Sequence, residues 1–92
     1  MREWVKIFKL LGNENRLRIL MLLSKYRELP VKKISNKLDI AIKLVSQHLV
    51  LLSHANFVNG KGKLASVYYS LNSELPAEVK QIIAKFVHKR PK

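Results

Sequence analysis

The chain has 92 residues, 48% of them hydrophobic, with 18 Lys and Arg against 6 Asp and Glu for a net charge of +12, and it has no cysteine. That length suits one compact domain (1–92) and excludes a catalytic domain with a separate regulator, while the apolar content excludes a disordered basic tail. The charge calls for a polyanionic partner, and the lack of cysteine excludes disulfides, thiolate metal sites and thiol redox switches.

The first helix is expected from Arg2 to Leu11, because Trp4, Val5, Phe8 and Leu11 fall at helical spacing and Gly12 follows. Asn13 suits the cap of a second helix, in which Leu17, Ile19, Leu20, Met21, Leu22 and Leu23 are apolar almost all round. Such a helix belongs at the centre of the core. The longest apolar run is only Ile19 to Leu23, so neither a signal peptide nor a membrane span is expected and a cytoplasmic setting is. Glu28-Leu29 reads as an extended connector, and Pro30 as the opening of a third helix through Leu38 that turns Val31, Ile34 and Leu38 inward.

After a break at Asp39-Ile40, a fourth helix is expected from Ala41 to His54. Advancing about 100° per residue brings Leu49 and Leu52 within about 40° of Val45, with Leu44, His48 and Leu51 flanking them on one side. Lys43, Ser46, Gln47, Val50 and His54 fall on the opposite face, which carries no acid. A face of that kind can enter a major groove without repelling phosphates. His48, at the edge of the buried stripe, reads as a packed histidine bonded to backbone, His54 as a favourable charge at a helix end, and Arg16 as a structural tie between helices.

Beyond Asn56 the apolar period changes to two. Phe57-Val58 begins one strand, Gly60-Lys61-Gly62-Lys63 reads as a glycine-rich basic turn, and Ala65, Val67, Tyr69 and Leu71 alternate with polar neighbours in a second strand. Pro76 is placed to open a last helix, within 74–89, with Val79, Ile82, Ile83, Phe86 and Val87 on one face. The expected fold is therefore mainly α with a two-stranded β-hairpin, in the order α-α-α-α-β-β-α of a winged helix-turn-helix.

A chain of this size buries only about 60–65% of its unfolded surface, so apolar stripes on the terminal helices (1–11 and 74–89) read as a homodimer seam carrying Trp4, Phe8, Val79, Ile82, Ile83 and Phe86. Catalysis is not expected: there is no phosphate-binding glycine loop, a single Asp and no serine in a nucleophile turn. No cofactor is called for.

Three strings, Leu11-Gly12-Asn13-Glu14-Asn15-Arg16-Leu17-Arg18-Ile19-Leu20, Val45-Ser46-Gln47-His48-Leu49-Val50-Leu51-Leu52 and Val67-Tyr68-Tyr69-Ser70-Leu71, stand in the order and at the separations of the ArsR/SmtB family, which the chain resembles over roughly residues 8 to 71. The resemblance implies a homodimeric repressor of a promoter, bound to double-stranded DNA at an imperfect palindrome. It places base reading on Lys43, Ser46 and Gln47, with Ile42 and His48 beside them, backbone approach on Val31 and Lys32, and wing contacts on Lys61 and Lys63. Chemistry supplies the roles: Gln47 pairs with adenine, Lys43 with guanine or phosphate, and the wing lysines give affinity with little sequence information.

The chain departs from the family's metal sensors. Where these carry an "ELCVC" string it has Glu28-Leu29-Pro30-Val31-Lys32, and the last helix offers only Glu74, Glu78 and His88 outside the family spacing, so no metal site is expected. The effector, small molecule or protein, is left open. Ala41 stands where a capping serine is usual, and Ile42 and Leu44 replace polar residues. Exposed Val50, with Ile42 or Leu44 where they are not fully buried, would form an apolar patch that supports the alternative of a winged helix that binds a protein partner and has only non-specific affinity for nucleic acid.

Overall fold

The structure is a computed structural model that describes residues 1–88, with side chains through residue 85. Its elements are α1 (Arg2–Leu11), α2 (Glu14–Lys25), β1 (Leu29–Pro30), α3 (Val31–Leu38), α4 (Ile42–His54), β2 (Val58–Lys63), β3 (Ser66–Leu71) and α5 (Ala77–His88). Five helices and an antiparallel wing make this a winged helix-turn-helix fold.

The α1–α2 corner is held by its own polar groups. Gly12 N donates to Phe8 O at 2.8 Å, and the Asn13 side chain accepts from Arg16 N at 3.1 Å, capping α2 and contributing about 1 kcal/mol. Arg16 then turns back on α1, donating to the carbonyls of Leu10 (2.8 Å) and Lys9 (3.2 Å). This is the structural tie expected of it. Along α2, Ile19, Leu20 and Leu23 are buried, and the helix packs on α5, β3, α3 and α4. Ile34, Val45, Leu49 and Leu52 bring α3 and α4 into the same core.

The sheet has three strands in the order β1-β3-β2 rather than the two expected. Leu29 pairs with Tyr69 and Pro30 with Tyr68, so the connector is an edge strand and β3 lies in the middle. Proline is tolerated there because an edge position does not need its missing N–H. Pro30 therefore precedes α3, which starts at Val31.

The wing turn is also displaced from the expected glycines. Gly60 pairs with Tyr69 and Gly62 with Val67 inside the ladder, and Lys63 pairs with Ser66, so the loop is Leu64-Ala65. No glycine has a positive φ, whereas Leu64 has φ 54°. Gly60 is needed for a different reason, since a Cβ there would stand 2.9 Å from Cε1 of Tyr69. At the other end of β2, Phe57 lies before the strand, where its N–H bonds Leu52 O at 2.9 Å and its carbonyl accepts from Asn72 N at 3.0 Å.

The last helix begins at Ala77, not at 74. Leu75 is buried ahead of it, and the Pro76 carbonyl accepts from Lys80 N at 3.1 Å, which leaves the proline just outside.

Candidate nucleic-acid interface

Two local devices set the angle between α3 and α4. Asp39 ends α3 in the left-handed conformation at φ 55°, a region tolerated by Asp because its short polar side chain imposes little penalty. Ser35 then accepts the N–H of Ile40 on its carbonyl (3.2 Å) and donates its hydroxyl to the Ile40 carbonyl (2.5 Å), closing the turn. Ile40 is buried, which anchors the turn to the core. From below, Arg18 donates to the Leu38 carbonyl at 2.6 Å, tying α2 to the end of α3. A hydrogen bond from a charged donor is worth about 1.5–3 kcal/mol.

With Val45, Leu49 and Leu52 buried, α4 turns Lys43 and Gln47 outward and leaves Ser46 half-buried at the margin. Ile42 at 45% and Val50 at 48% exposure border them, and Leu44 and Leu51 are exposed as well. Ala41 provides no side-chain cap, as its methyl dictates. On α3, Lys32 and Lys33 are exposed while Val31 is half-buried. Lys37 sits 4.7 Å above the Tyr26 ring, a contact without a sequence signal because the two lie in different elements. Neither α3 nor α4 contains an acid.

On the wing, Lys61 and Lys63 project from the same side of β2, two residues apart, and both are exposed. Their circumstances differ. Lys63 is ion-paired with Glu28 and lies 5.2 Å from the Tyr68 ring centroid, whereas Lys61 takes no part in a hydrogen bond or ion pair among the described residues. Lys32, Lys43 and Lys61 are thus exposed on α3, α4 and β2, and Gln47, exposed on α4, is a bidentate amide able to pair with a base edge.

His48 is half-buried beside this face. Burial, and then the Arg16 guanidinium, hold its imidazole below the ordinary histidine value and favour the neutral ring. The expected bond to backbone is not among the described hydrogen bonds.

The expected dimer residues divide. Phe8 is 59% exposed and Trp4, 6.1 Å from it between ring centroids, is half-buried, so both keep apolar surface on α1. Val79 and Ile83, at 0% and 1%, are spent in the core beneath α5 and have no surface to offer, while Ile82 is half-buried. The side chain of Phe86 lies outside the described residues. Among the described residues no group of three His, Asp or Glu side chains is placed to hold a metal ion, and no helix is long and apolar enough to cross a membrane.

Helix-turn-helix, acid-free outer face and basic wing define a DNA-binding protein of the winged-helix class. The profile of the family described as "Bacterial regulatory protein, arsR family" matches residues 13–60. The arsenical resistance operon repressor of Escherichia coli is 34% identical over 79 residues, covering 86% of this chain and 68% of the relative. The transcriptional activator HlyU of Vibrio cholerae is 37% identical over 79 residues, 86% of this chain and 69% of its own. The solved structure of reduced HlyU from Vibrio cholerae superposes with a TM-score of 0.84 at 32% identity, covering 99% of this chain and 92% of that one. The chain belongs to the arsR family and is a DNA-binding transcriptional regulator.

Proposed function

We propose that the chain is a homodimeric, sequence-specific repressor that binds an imperfect palindrome in double-stranded DNA. The observation that carries this reading is the outer face of α4, where Lys43 and Gln47 are exposed on an acid-free helix, with Lys32 exposed on α3, the helix packed against it. Gln47, Lys43 and Ser46 read base edges, Ile42 meets a thymine methyl, and Lys32 and Lys61 hold phosphates. Lys63 joins them only when it leaves Glu28. A dimer formed through the exposed apolar surface of α1, with Trp4, Phe8 and Ile82 and with Phe86 beyond the described side chains, presents two such helices to half-sites about one helical turn apart. Occupying a promoter in this way is sufficient for repression in the cytoplasm and requires no catalysis, metal or cofactor.

The test is stoichiometry. Sedimentation equilibrium of the free chain and of its complex with a palindromic duplex gives two chains in each case on this reading. One chain per duplex, with a monomer in solution, contradicts it.

A second reading has one observation in its favour, the exposure of Ile42, Leu44, Val50 and Leu51 on α4. On that reading the apolar patch docks a protein, and every duplex of equal length binds equally and weakly.

A further inference from the structure

The tip of the wing departs from what folding alone selects in three ways. The first is Leu64. It begins a two-residue loop between the paired Lys63 and Ser66, and at φ 54° it holds a position that Gly, Asn or Asp fills without strain. The second is exposure: Leu64 is 110% accessible, more open than in a reference chain, so nothing in the fold compensates for the strain or the exposed isobutyl group. The third is Gly62. Its φ is not positive and a Cβ would meet nothing within 4 Å, so neither conformation nor packing requires glycine there.

Together these residues give the wing a particular shape. Gly60 is covered by the Tyr69 ring, but Gly62 adds no side chain near the end of β2, Lys61 and the Glu28-paired Lys63 put cations on the opposite side, and an apolar side chain leads at the end. A minor groove about 6 Å wide admits a slim element, attracts cations with its phosphates, and accepts an apolar wedge where base pairs part. Singly exposed leucines are common on protein surfaces, but a leucine in the left-handed region directly after Lys63, at the tip of a hairpin, is not. The wing is also braced: Lys63 spans the Tyr68 ring to Glu28, and β3 is held on both sides by β1 and β2.

We propose that Leu64 is a wedge which the wing drives between base pairs of the minor groove, partly unstacking them and favouring sites with a flexible pyrimidine–purine step beneath the tip. This rests on the DNA-binding reading above and adds a residue and a kind of sequence discrimination to it.

The experiment uses duplexes selected by the wild-type chain from a randomised pool, then made with 2-aminopurine at steps flanking the recognised core. Leu64→Asn and Leu64→Gly both fit a positive φ, so their thermal midpoints equal or exceed that of the wild type. The wild type raises 2-aminopurine fluorescence on binding; both variants lose the rise and bind about tenfold more weakly. Lys61→Ala binds more weakly but keeps the rise. Gly62→Val, which a strand accepts, folds as well as the wild type and binds more weakly. Leu64 variants that match the wild type in fluorescence and affinity overturn the wedge, and a Gly62→Val that binds normally overturns the requirement for a slim wing. Selection of a sequence without unstacking defeats the wedge alone, whereas failure to select any sequence defeats the DNA-binding reading with it.

Discussion

Lys63, at the end of β2, reaches across the ring of Tyr68 to an ion pair with Glu28, which lies thirty-five positions earlier and leads into β1. The wing is thereby fastened to the segment that enters the helix-turn-helix. Both side chains remain substantially exposed, so the pair itself adds less than about 1 kcal/mol to stability. Its larger effect is on charge, because it withholds one wing cation from phosphates. Glu28→Gln frees that cation, and the slope of log binding constant against log salt then steepens by about one unit. Fluorescence anisotropy across a salt series reads this slope, and an unchanged slope contradicts the account.

The face of α4 and the wing differ in what their loss does. Gln47→Ala relaxes discrimination at one base position by about 1–3 kcal/mol, since a bidentate amide pair is lost at that position alone. Lys61→Ala weakens binding to all duplexes and flattens the salt slope by about one unit. Binding to a panel of single-base variants separates the two, and uniform weakening by Gln47→Ala removes its base-reading role.

The proposed dimer seam and the core are separable in the same way. Phe8→Asp leaves the folded chain intact and shifts sedimentation toward the monomer, because the ring is mostly exposed on α1. Ile83→Ala, at a fully buried site, costs about 2–5 kcal/mol of stability in chemical denaturation. A Phe8→Asp variant that remains dimeric places the seam elsewhere.

The elements that carry the interface were readable because local signals set them. Asn13 caps α2 as its side chain predicts, and the 3.6-residue stripe of Val45, Leu49 and Leu52 turned Lys43 and Gln47 outward. The signals that misled were weak or shared. A two-residue strand such as β1 has no alternation to detect, and glycines at 60 and 62 read as a turn although one makes room for Tyr69 and the other meets nothing. The wheel of α5 shows that Val79 and Ile83 are covered but not by which chain, and they belong to the protomer's own core. The Glu28–Lys63 pair depends on strand order, which no local pattern encodes.

His48 gives a pH signature. Its value is lowered by burial and by Arg16, so the folded chain resists a proton that the unfolded chain accepts. This contribution to stability is present above the ordinary histidine value of 6.5 and is lost as pH falls from there through the lowered value. Denaturation midpoints of the wild type should fall over that range, and His48→Gln should lose this part of the dependence. An identical pH profile for the variant contradicts the assignment.

Sequence-specific recognition is tested most directly by equilibrium binding, in a salt series, to the duplex upstream of the chain's own coding region and to a scrambled duplex of equal length. Strong preference for the native duplex, together with a steep salt slope, is the predicted result. Equal and weak binding to both would reduce the interaction to charge attraction and contradict a regulator that reads its site through Lys43, Ser46 and Gln47.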